Sequence, residues 1–151
     1  LRINAFFDAS SKSNYQSQKA TDAIIDGGFF GKGIGEGTLN TRVPEAHTDY
    51  VISVISEEFG ALFILLILLI YLFILFRVFK KIPFEKNNSN KLVLIGSILL
   101  IIFQVLIHIG VNISLLPTTG MTLPFLSYGG SSILSSSILA GLILNFTKRK
   151  L

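Results

Sequence analysis

Cysteine and tryptophan are absent from this chain of 151 residues, which also has one methionine and two histidines. Without cysteine, disulfide bonds, thiol nucleophiles and cysteine-based zinc sites are excluded. The two histidines, His47 and His108, do not have HExxH-type spacing, so no other zinc site is expected. Charged residues make up only 15% of the chain, whereas 50% is hydrophobic. This balance excludes an ordinary soluble domain and is typical of a membrane protein.

Three apolar blocks occupy the later part of the chain, at residues 59–76, 92–116 and 126–147. Each reaches or exceeds the roughly 18 to 20 residues that a helix needs to cross about 30 Å of hydrocarbon. We therefore predict an all-α polytopic membrane helix bundle. A polar extramembrane loop with one short helix, near residues 18–25, is expected to precede it.

The positions of the basic residues predict how the chain is oriented. Lysine and arginine cluster between the first two blocks and again after the third. Because cytoplasmic loops carry such an excess, both clusters are expected in the cytoplasm, as three spans require. The net charge of +4 is explained by this topology, so no nucleic-acid partner is expected. The predicted segments are an extracytoplasmic loop at 1–49, a span at 50–79, a cytoplasmic loop at 80–91, a span at 92–114, an extracytoplasmic loop at 115–128, a span at 129–147 and a cytoplasmic tail at 148–151.

Charge accumulates immediately before the first span, in the stretch "RVPEAHTDYVISVISEEFG" at residues 42–60. At about 100° per residue, Asp49, Ser53 and Ser56 fall on one face of a helix that enters the membrane. Such a face normally contacts protein or water, because lipid cannot satisfy polar groups. Thr48 or Asp49 could cap this helix, and Asp49 could act as a general base; the two roles are compatible.

Two further carboxylates, Glu57 and Glu58, lie about two turns deeper in the same helix. An unpaired carboxylate at that depth is costly, so at least one should meet a cation or a water-filled crevice. Arg42 is the nearest cation in sequence. A structural ion pair with Arg42 is therefore favoured over a second catalytic acid.

The second span carries its own polar face. A lone histidine on such a face is more often hydrogen-bonded in packing than a ligand, so packing is the favoured role of His108. The residues that project within roughly 80° of one another on this helix are Ser97, Gln104, His108 and Asn112.

A glycine cluster, "GGFFGKGIGEG" at residues 27–37, invites comparison with phosphate-binding loops. However, Glu36 stands where the third glycine of G-x-G-x-x-G belongs, and no Ser or Thr follows the Gly-Lys pair, so nucleotide binding is rejected. The cluster still offers a flexible chain with exposed N–H groups and one cation, Lys32. These groups could approach an anion such as a pyrophosphate.

Three segments together resemble a known family: "GGFFGKGIGEG", "VPEAHTDYVISVISEEFG" and "LLPTTGMTLPFLSYGGSS". In this order and spacing they resemble the shape, elongation, division and sporulation (SEDS) family. Its members are polytopic bacterial glycosyltransferases that polymerise the lipid-linked cell-wall precursor lipid II. The resemblance covers nearly the whole chain and is closer to the division branch. It implies that the chain is the C-terminal portion of the fold, with the last three of ten membrane helices and the large outer loop before them.

The resemblance implies that Asp49 is the essential catalytic residue. As general base it would take the proton from the acceptor sugar's 4-hydroxyl while undecaprenyl pyrophosphate leaves the donor. Arg42 is preferred over Lys32 for the pyrophosphate, because a guanidinium donates two parallel hydrogen bonds. Glu45 and His47 are candidates for orienting substrate, with Glu45 as the reserve base. No cofactor is otherwise expected, although a divalent cation, Mg²⁺ or Mn²⁺, could also neutralise the pyrophosphate.

The implied partners are lipid II, a class B penicillin-binding transpeptidase and other membrane proteins of the division machinery. The implied location is the bacterial cytoplasmic membrane at the division septum. Two alternatives are a lipid II flippase, whose path the polar helix faces would line, and a non-catalytic fragment of a split family member. The densest polar group lies at a membrane boundary rather than at mid-membrane, which favours the enzyme over a transporter. The isolated segment is expected to be inactive, since seven family helices are not in it.

Overall fold

The computed structural model describes residues 12–43 and 46–147, and every regular element within those ranges is helical. The predicted all-α fold is confirmed. Residues 1–11 and 44–45 of the predicted outer loop at 1–49, and the predicted tail at 148–151, lie outside the described residues. In chain order the helices are α1 (Lys12–Gly27), α2 (Leu39–Arg42), α3 (Val51–Phe59), α4 (Ala61–Phe79), α5 (Asn88–Asn112) and α6 (Gly130–Thr147), with a 3₁₀ turn at Ile82–Phe84 between α4 and α5.

In the described part of the chain, three helical segments are long and apolar enough to cross a membrane: Ala61–Phe84, Asn88–Asn112 and Gly130–Thr147. Within the chain itself, only 11%, 28% and 11% of the residues are buried in the most apolar 18-residue stretch of each segment. Leucine, isoleucine and phenylalanine make up most of the exposed surface of these spans. Soluble monomers do not expose apolar surface on this scale, so these helices belong in lipid or against further protein.

The helix predicted over residues 50–79 is two helices, α3 and α4, separated at Gly60. Gly60 has a φ of 83°, a left-handed value that ends the α3 ladder. A Cβ at this position would lie 2.3 Å from the carbonyl oxygen of Phe29, so no other residue fits without a shift. The apolar pattern runs through the break, which is why the sequence suggested one helix.

The glycine cluster at residues 27–37 closes the end of α3. The last carbonyls of a helix have no partner inside it and need donors from elsewhere. Here the backbone N–H groups of Lys32 and Gly33 donate to the carbonyls of Glu57 and Glu58, at 2.8 and 3.1 Å. These N–H groups therefore serve the fold, and the anion-binding role suggested for this chain segment loses two of its donors.

The same glycine cluster also begins α4, whose first N–H groups likewise lack partners inside the helix. Ala61 and Leu62 donate their backbone N–H groups to the carbonyls of Gly28 and Phe29, at 2.9 and 3.4 Å. One short loop thus pairs with both ends of the break.

Helix α1 packs along α3 outside the spanning segments and forms a small core with α2. It confirms and extends the short helix predicted near residues 18–25. Where α1 packs against α3, small side chains allow the backbones of these two helices to approach closely. The buried core residues are Ala20, Ala23, Leu39, Val43, Ala46, Tyr50 and Val111. Because Val111 belongs to α5, this core attaches the extramembrane helices to a spanning helix.

At the opposite end, the three spanning helices meet in a second apolar cluster. Its buried members are Val78, Leu94, Ile98 and Ile143. Lys81 lies beside this cluster, and its ammonium donates to the carbonyl of Thr147 at 2.6 Å. This contact satisfies a carbonyl at the end of α6, where a cation is favourable.

Candidate functional site

The turn at residues 46–50 carries the sequence-predicted catalytic residue and lies between α2 and α3. The N-cap of α3 is Tyr50, one position after Asp49. The structure thus places the N-cap just after Thr48 and Asp49, the two residues considered for it from the sequence. Tyr50 is fully buried, and its hydroxyl lies 3.2 Å from Ser17 Oγ on α1. The turn is thus packed directly onto the extramembrane core.

Two carbonyls of this turn are held by the loop between α5 and α6. The carbonyl of His47 accepts from the backbone N–H of Tyr128 at 3.1 Å. The carbonyl of Thr48 accepts from the hydroxyl of Ser127 at 3.0 Å. That hydroxyl oxygen also accepts from the N–H of Leu123 at 2.9 Å, so its proton is directed towards Thr48.

The third successive carbonyl, that of Asp49, is held by α5 through the side chain of Asn112. Asn112 Nδ2 donates to the Asp49 carbonyl at 3.0 Å and to the carbonyl of His108 at 2.8 Å. Asn112 Oδ1 accepts from the N–H and the hydroxyl of Ser53, at 3.0 and 2.7 Å. The peptide groups before and after Asp49 are therefore fixed, one by the loop after α5 and the other by α5 itself.

The side chains of the turn differ in their access to water. His47 is exposed and Thr48 is half-buried, whereas Asp49 keeps 8% of its surface accessible. Asp49 is thus placed at the edge of a packed region. A reacting hydroxyl would reach it only over that narrow accessible edge.

The polar face predicted on the second span does turn towards protein. Ser97, His108 and Asn112 are buried, and Gln104 is partly so. His108 Nδ1 lies 3.1 Å from the carbonyl of Met121, and since a carbonyl only accepts, this nitrogen is the donor. Its Nε2 has no hydrogen-bond partner among the described residues. The packing role favoured for His108 agrees with this arrangement.

Glu57 is almost fully buried, at 1% exposure, and accepts hydrogen bonds at both carboxylate oxygens. Oε1 accepts from the N–H and hydroxyl of Thr38 at 3.0 and 3.1 Å, and Oε2 accepts from the N–H of Leu39 at 3.0 Å. The ammonium of Lys32 lies 3.3 Å away. The ion pair predicted for this region is confirmed, but its cation is Lys32 rather than Arg42, because the glycine cluster folds back over α3.

The electrostatics of this pair follow from its contacts. Burial alone raises the pKa of Glu57, but hydrogen bonds from Thr38, Leu39 and Lys32 outweigh it, so that the pKa is lowered from its ordinary value. The hydrogen bond with Asp26, at 2.9 Å, is the largest cause that raises the pKa of Lys32; partial loss of water opposes it and Glu57 adds to it. Both groups are therefore charged at neutral pH.

The predicted substrate-binding residues separate into two places. Arg42 is exposed and lines a cavity of about 220 Å³, together with the carboxylates of Asp22, Asp26 and Glu57. Lys32 is engaged beside that cavity with two carboxylates. His47 stays with Asp49 on the turn, and Asp49 is not among the residues that line the cavity. Glu45 lies outside the described residues.

Two residues that hold the turn had no assigned role in the sequence analysis. Asn112 appeared there only as a member of a polar helix face, and Ser127 was part of a quoted segment without a function of its own. The buried position of Asn112 could be anticipated from its helical spacing, whereas the partners of both side chains are distant in sequence and leave no local signal.

Within residues 12–43 and 46–147, no three acidic or histidine side chains come together in a way that could hold a metal ion.

The fold and the site together define a polytopic membrane protein. At one end of its spanning helices, α5 and the loop after it hold the turn that bears the buried Asp49. The chain belongs to the FtsW/RodA/SpoVE family of cell cycle proteins, whose family model matches residues 1–150.

Individual relatives agree with this assignment. The chain is 36% identical over 149 residues to a probable peptidoglycan glycosyltransferase FtsW from Caulobacter vibrioides, covering 99% of this chain and 38% of that protein. It is 40% identical over 148 residues to the protein of the same name from Enterococcus hirae, covering 97% and 37%. The chain thus spans well under half the length of these relatives.

A solved structure shares the fold. A chain from a peptidoglycan synthase complex, described for its coordination of polymerization and crosslinking, superimposes with a TM-score of 0.76. The sequences are 29% identical, and the match covers 97% of this chain and 40% of the solved one.

Proposed function

We propose that the protein to which this chain belongs is a peptidoglycan glycosyltransferase that polymerises lipid II into glycan strands. Relatives at 36% and 40% identity bear the name of that activity. The single observation within this chain that carries the proposal is the fixed position of Asp49, whose turn has three successive carbonyls held by other elements. A general base must be held within hydrogen-bond reach of the proton that it takes.

Asp49 is the general base in this proposal. Its carboxylate takes the proton of the acceptor sugar's 4-hydroxyl as that oxygen bonds to the anomeric carbon of the donor. The bond from that carbon to the pyrophosphate breaks, and undecaprenyl pyrophosphate leaves with the electron pair. One carboxylate without a paired nucleophile suits a single inverting displacement.

The departing pyrophosphate is assigned to Arg42 rather than Lys32. Lys32 already pairs with Asp26 and Glu57, at 2.9 and 3.3 Å, so its charge is neutralised within the fold. Arg42 is exposed at the cavity and offers a planar pair of donors. His47, exposed beside Asp49, is the remaining candidate for orienting a sugar, and Glu45 stays a prediction.

The setting proposed for this activity is the bacterial cytoplasmic membrane at the division septum. The matched solved chain comes from a peptidoglycan synthase complex, which supports pairing with a class B penicillin-binding transpeptidase. Other membrane proteins of the division machinery complete the proposed partners. The outward side of Asp49 follows from the basic residues Arg77, Lys80 and Lys81, which lie at the opposite end of α4.

A lipid II flippase is the less favoured function. A translocation site would be expected near the middle of the spans. In the described residues, Asn112 and His108 instead lie in the last turns of α5, next to the Asp49 turn. Measuring glycan formation and lipid movement in the same vesicles separates the two activities.

Replacing Asp49 with Asn tests the proposed base. The full-length protein is reconstituted with its transpeptidase partner, and glycan strands formed from lipid II are measured. We expect a loss of about 10²-fold to 10⁴-fold, since Asn keeps the shape but cannot take a proton. The control is Glu85→Gln, the same chemical change in the loop before α5, where activity should stay within about 2-fold. Retained polymerisation in D49N would remove Asp49 from the mechanism.

A further inference from the structure

The side chain of Asn112 uses its whole hydrogen-bonding capacity in a fully buried position. An amide has two N–H donors and two lone pairs on its oxygen. All four are engaged, with the carbonyls of Asp49 and His108 and with the N–H and hydroxyl of Ser53. Its exposed fraction is 0%. A buried amide that is saturated in this way has one orientation, because each rotation breaks several bonds.

The partners of Asn112 lie on both sides of the candidate base. Asp49 comes before the first turn of α3 and Ser53 lies within it, so one side chain of α5 spans the start of the helix. We propose that Asn112 is a positioning residue, which sets the direction of the Asp49 carboxylate by holding the Asp49 carbonyl. This inference rests on the proposed function, in which Asp49 is the base.

The physical reason is the short connection between the held carbonyl and the carboxylate. Fixing the peptide plane after Asp49 restricts rotation about its Cα–C bond, and the anchored Ser53 resists rotation of α3 about its own axis. If the carbonyl were released, a rotation of some tens of degrees would move the carboxylate oxygens by about 1 Å. A displacement of that size can lower the rate of a positioned reaction by about 10²-fold.

The test uses two substitutions of Asn112 in the full-length protein with its transpeptidase partner. Asn112→Asp keeps an oxygen for Ser53 but turns a second oxygen, rather than an N–H donor, towards the Asp49 carbonyl. Asn112→Leu removes both contacts. We expect kcat for glycan formation to fall about 10-fold to 100-fold in both variants, with KM for lipid II within about 2-fold. Ser97→Ala, a buried polar change on the same helix, is the control and should remain near wild type.

Hydrogen exchange at the Ser53 amide shows whether the variants remain folded there. The wild type and N112D both keep an acceptor for this N–H, so its exchange should be slow in both and faster in N112L. If N112D polymerises at the wild-type rate with Ser53 protected, the contact to Asp49 is unnecessary and the inference is wrong. Equal loss of protection across α3 in both variants would likewise overturn it, since Asn112 would then only hold the fold.

A double substitution separates this inference from the proposed function. If Asn112 acts through Asp49, adding N112D to D49N should lower the residual activity by less than about 2-fold. A multiplied loss in the double variant would show that Asn112 acts independently of Asp49, and the inference would fail while the base assignment stands. Full activity of D49N alone would remove the base assignment instead.

Discussion

Glu57→Gln is the substitution whose effect can be worked out most fully from the contacts. In the wild type the carboxylate accepts from the N–H of Thr38 and of Leu39 and lies beside Lys32. A glutamine can keep its oxygen towards Thr38, but its NH₂ group then faces the N–H of Leu39. Leaving that donor unpaired costs about 1 to 3 kcal/mol, and the weaker neutral bonds to Thr38 add about 1 kcal/mol. We expect the extramembrane helices to lose about 2 to 4 kcal/mol of local stability.

The assay is hydrogen exchange at the Thr38 and Leu39 amides in the full-length protein. Exchange should be faster in E57Q by a factor that matches the lost free energy, about 30-fold to 800-fold. Glu58→Gln makes the same chemical change one residue further along, where the carboxylate is half-buried, and exchange should change by less than about 3-fold. Unchanged protection at Leu39 in E57Q would refute the role assigned to Glu57.

The same pair predicts a dependence on pH. Because the pKa of Glu57 is lowered in the folded state, its contribution to stability is present above the ordinary value of 4.5 and is lost as the pH falls through the lowered pKa. The pKa of Lys32 is raised, so its contribution is present below the ordinary value of 10.5 and is lost as the pH rises through the raised pKa. The protection of the Leu39 amide, measured relative to an unfolded amide at the same pH, should therefore decrease below pH 4.5 in the wild type. E57Q should lack this acid response.

Two further substitutions probe how the site is supported. Gly31→Ala places a Cβ 2.2 Å from the carbonyl oxygen of Glu58 at a φ of 79°, so we expect a loss of at least about 2 kcal/mol, measured as a lower yield of folded protein and a lower melting temperature. Ser127→Ala removes the donor to the Thr48 carbonyl and the acceptor of the Leu123 N–H. Glycan formation should fall about 3-fold to 30-fold, and an unchanged rate would show that Thr48 needs no such support.

Length and apolar character were sufficient to predict the three spanning helices. A run such as residues 92–116 has no stable alternative to a helix in lipid, because each backbone polar group must be satisfied within the segment. The buried polar face of α5 was also predictable, since its members recur at helical spacing. These features depend on neighbours close in sequence.

The break at Gly60 and the pairing of Glu57 depend on contacts that are distant in sequence. Residues 50–59 are compatible with continuing the first span, and a lone glycine does not by itself end a helix. The helix ends there because Phe29 and its neighbours occupy the space beside Gly60 and take up the free backbone groups. The choice of Lys32 over Arg42 has the same origin, since the nearest cation along the chain is not the nearest one in the fold.

Within the site, Asp49 could be selected from its segment, whereas its surroundings could not. The sequence placed an acidic residue at the start of a helix, and in the structure Asp49 directly precedes the N-cap of α3. The partners of the turn come from α5 and from the loop after it, 63 and 79 residues away. No local pattern reports contacts of that separation.

The glycine cluster at residues 27–37 makes the junction between α3 and α4 rigid. Its backbone is hydrogen-bonded to the last carbonyls of α3 and to the first N–H groups of α4. These bonds fix the angle between the two helices. Helix α3 is about 14 Å long from Gly60 to Val51. Tilting α4 by about 10°, with α3 moving rigidly with it, would therefore displace Val51 by about 2 Å. Val51 directly follows the turn that bears Asp49. Bilayer thickness, which is one influence on the tilt of a spanning helix, is thereby connected to the position of the proposed base.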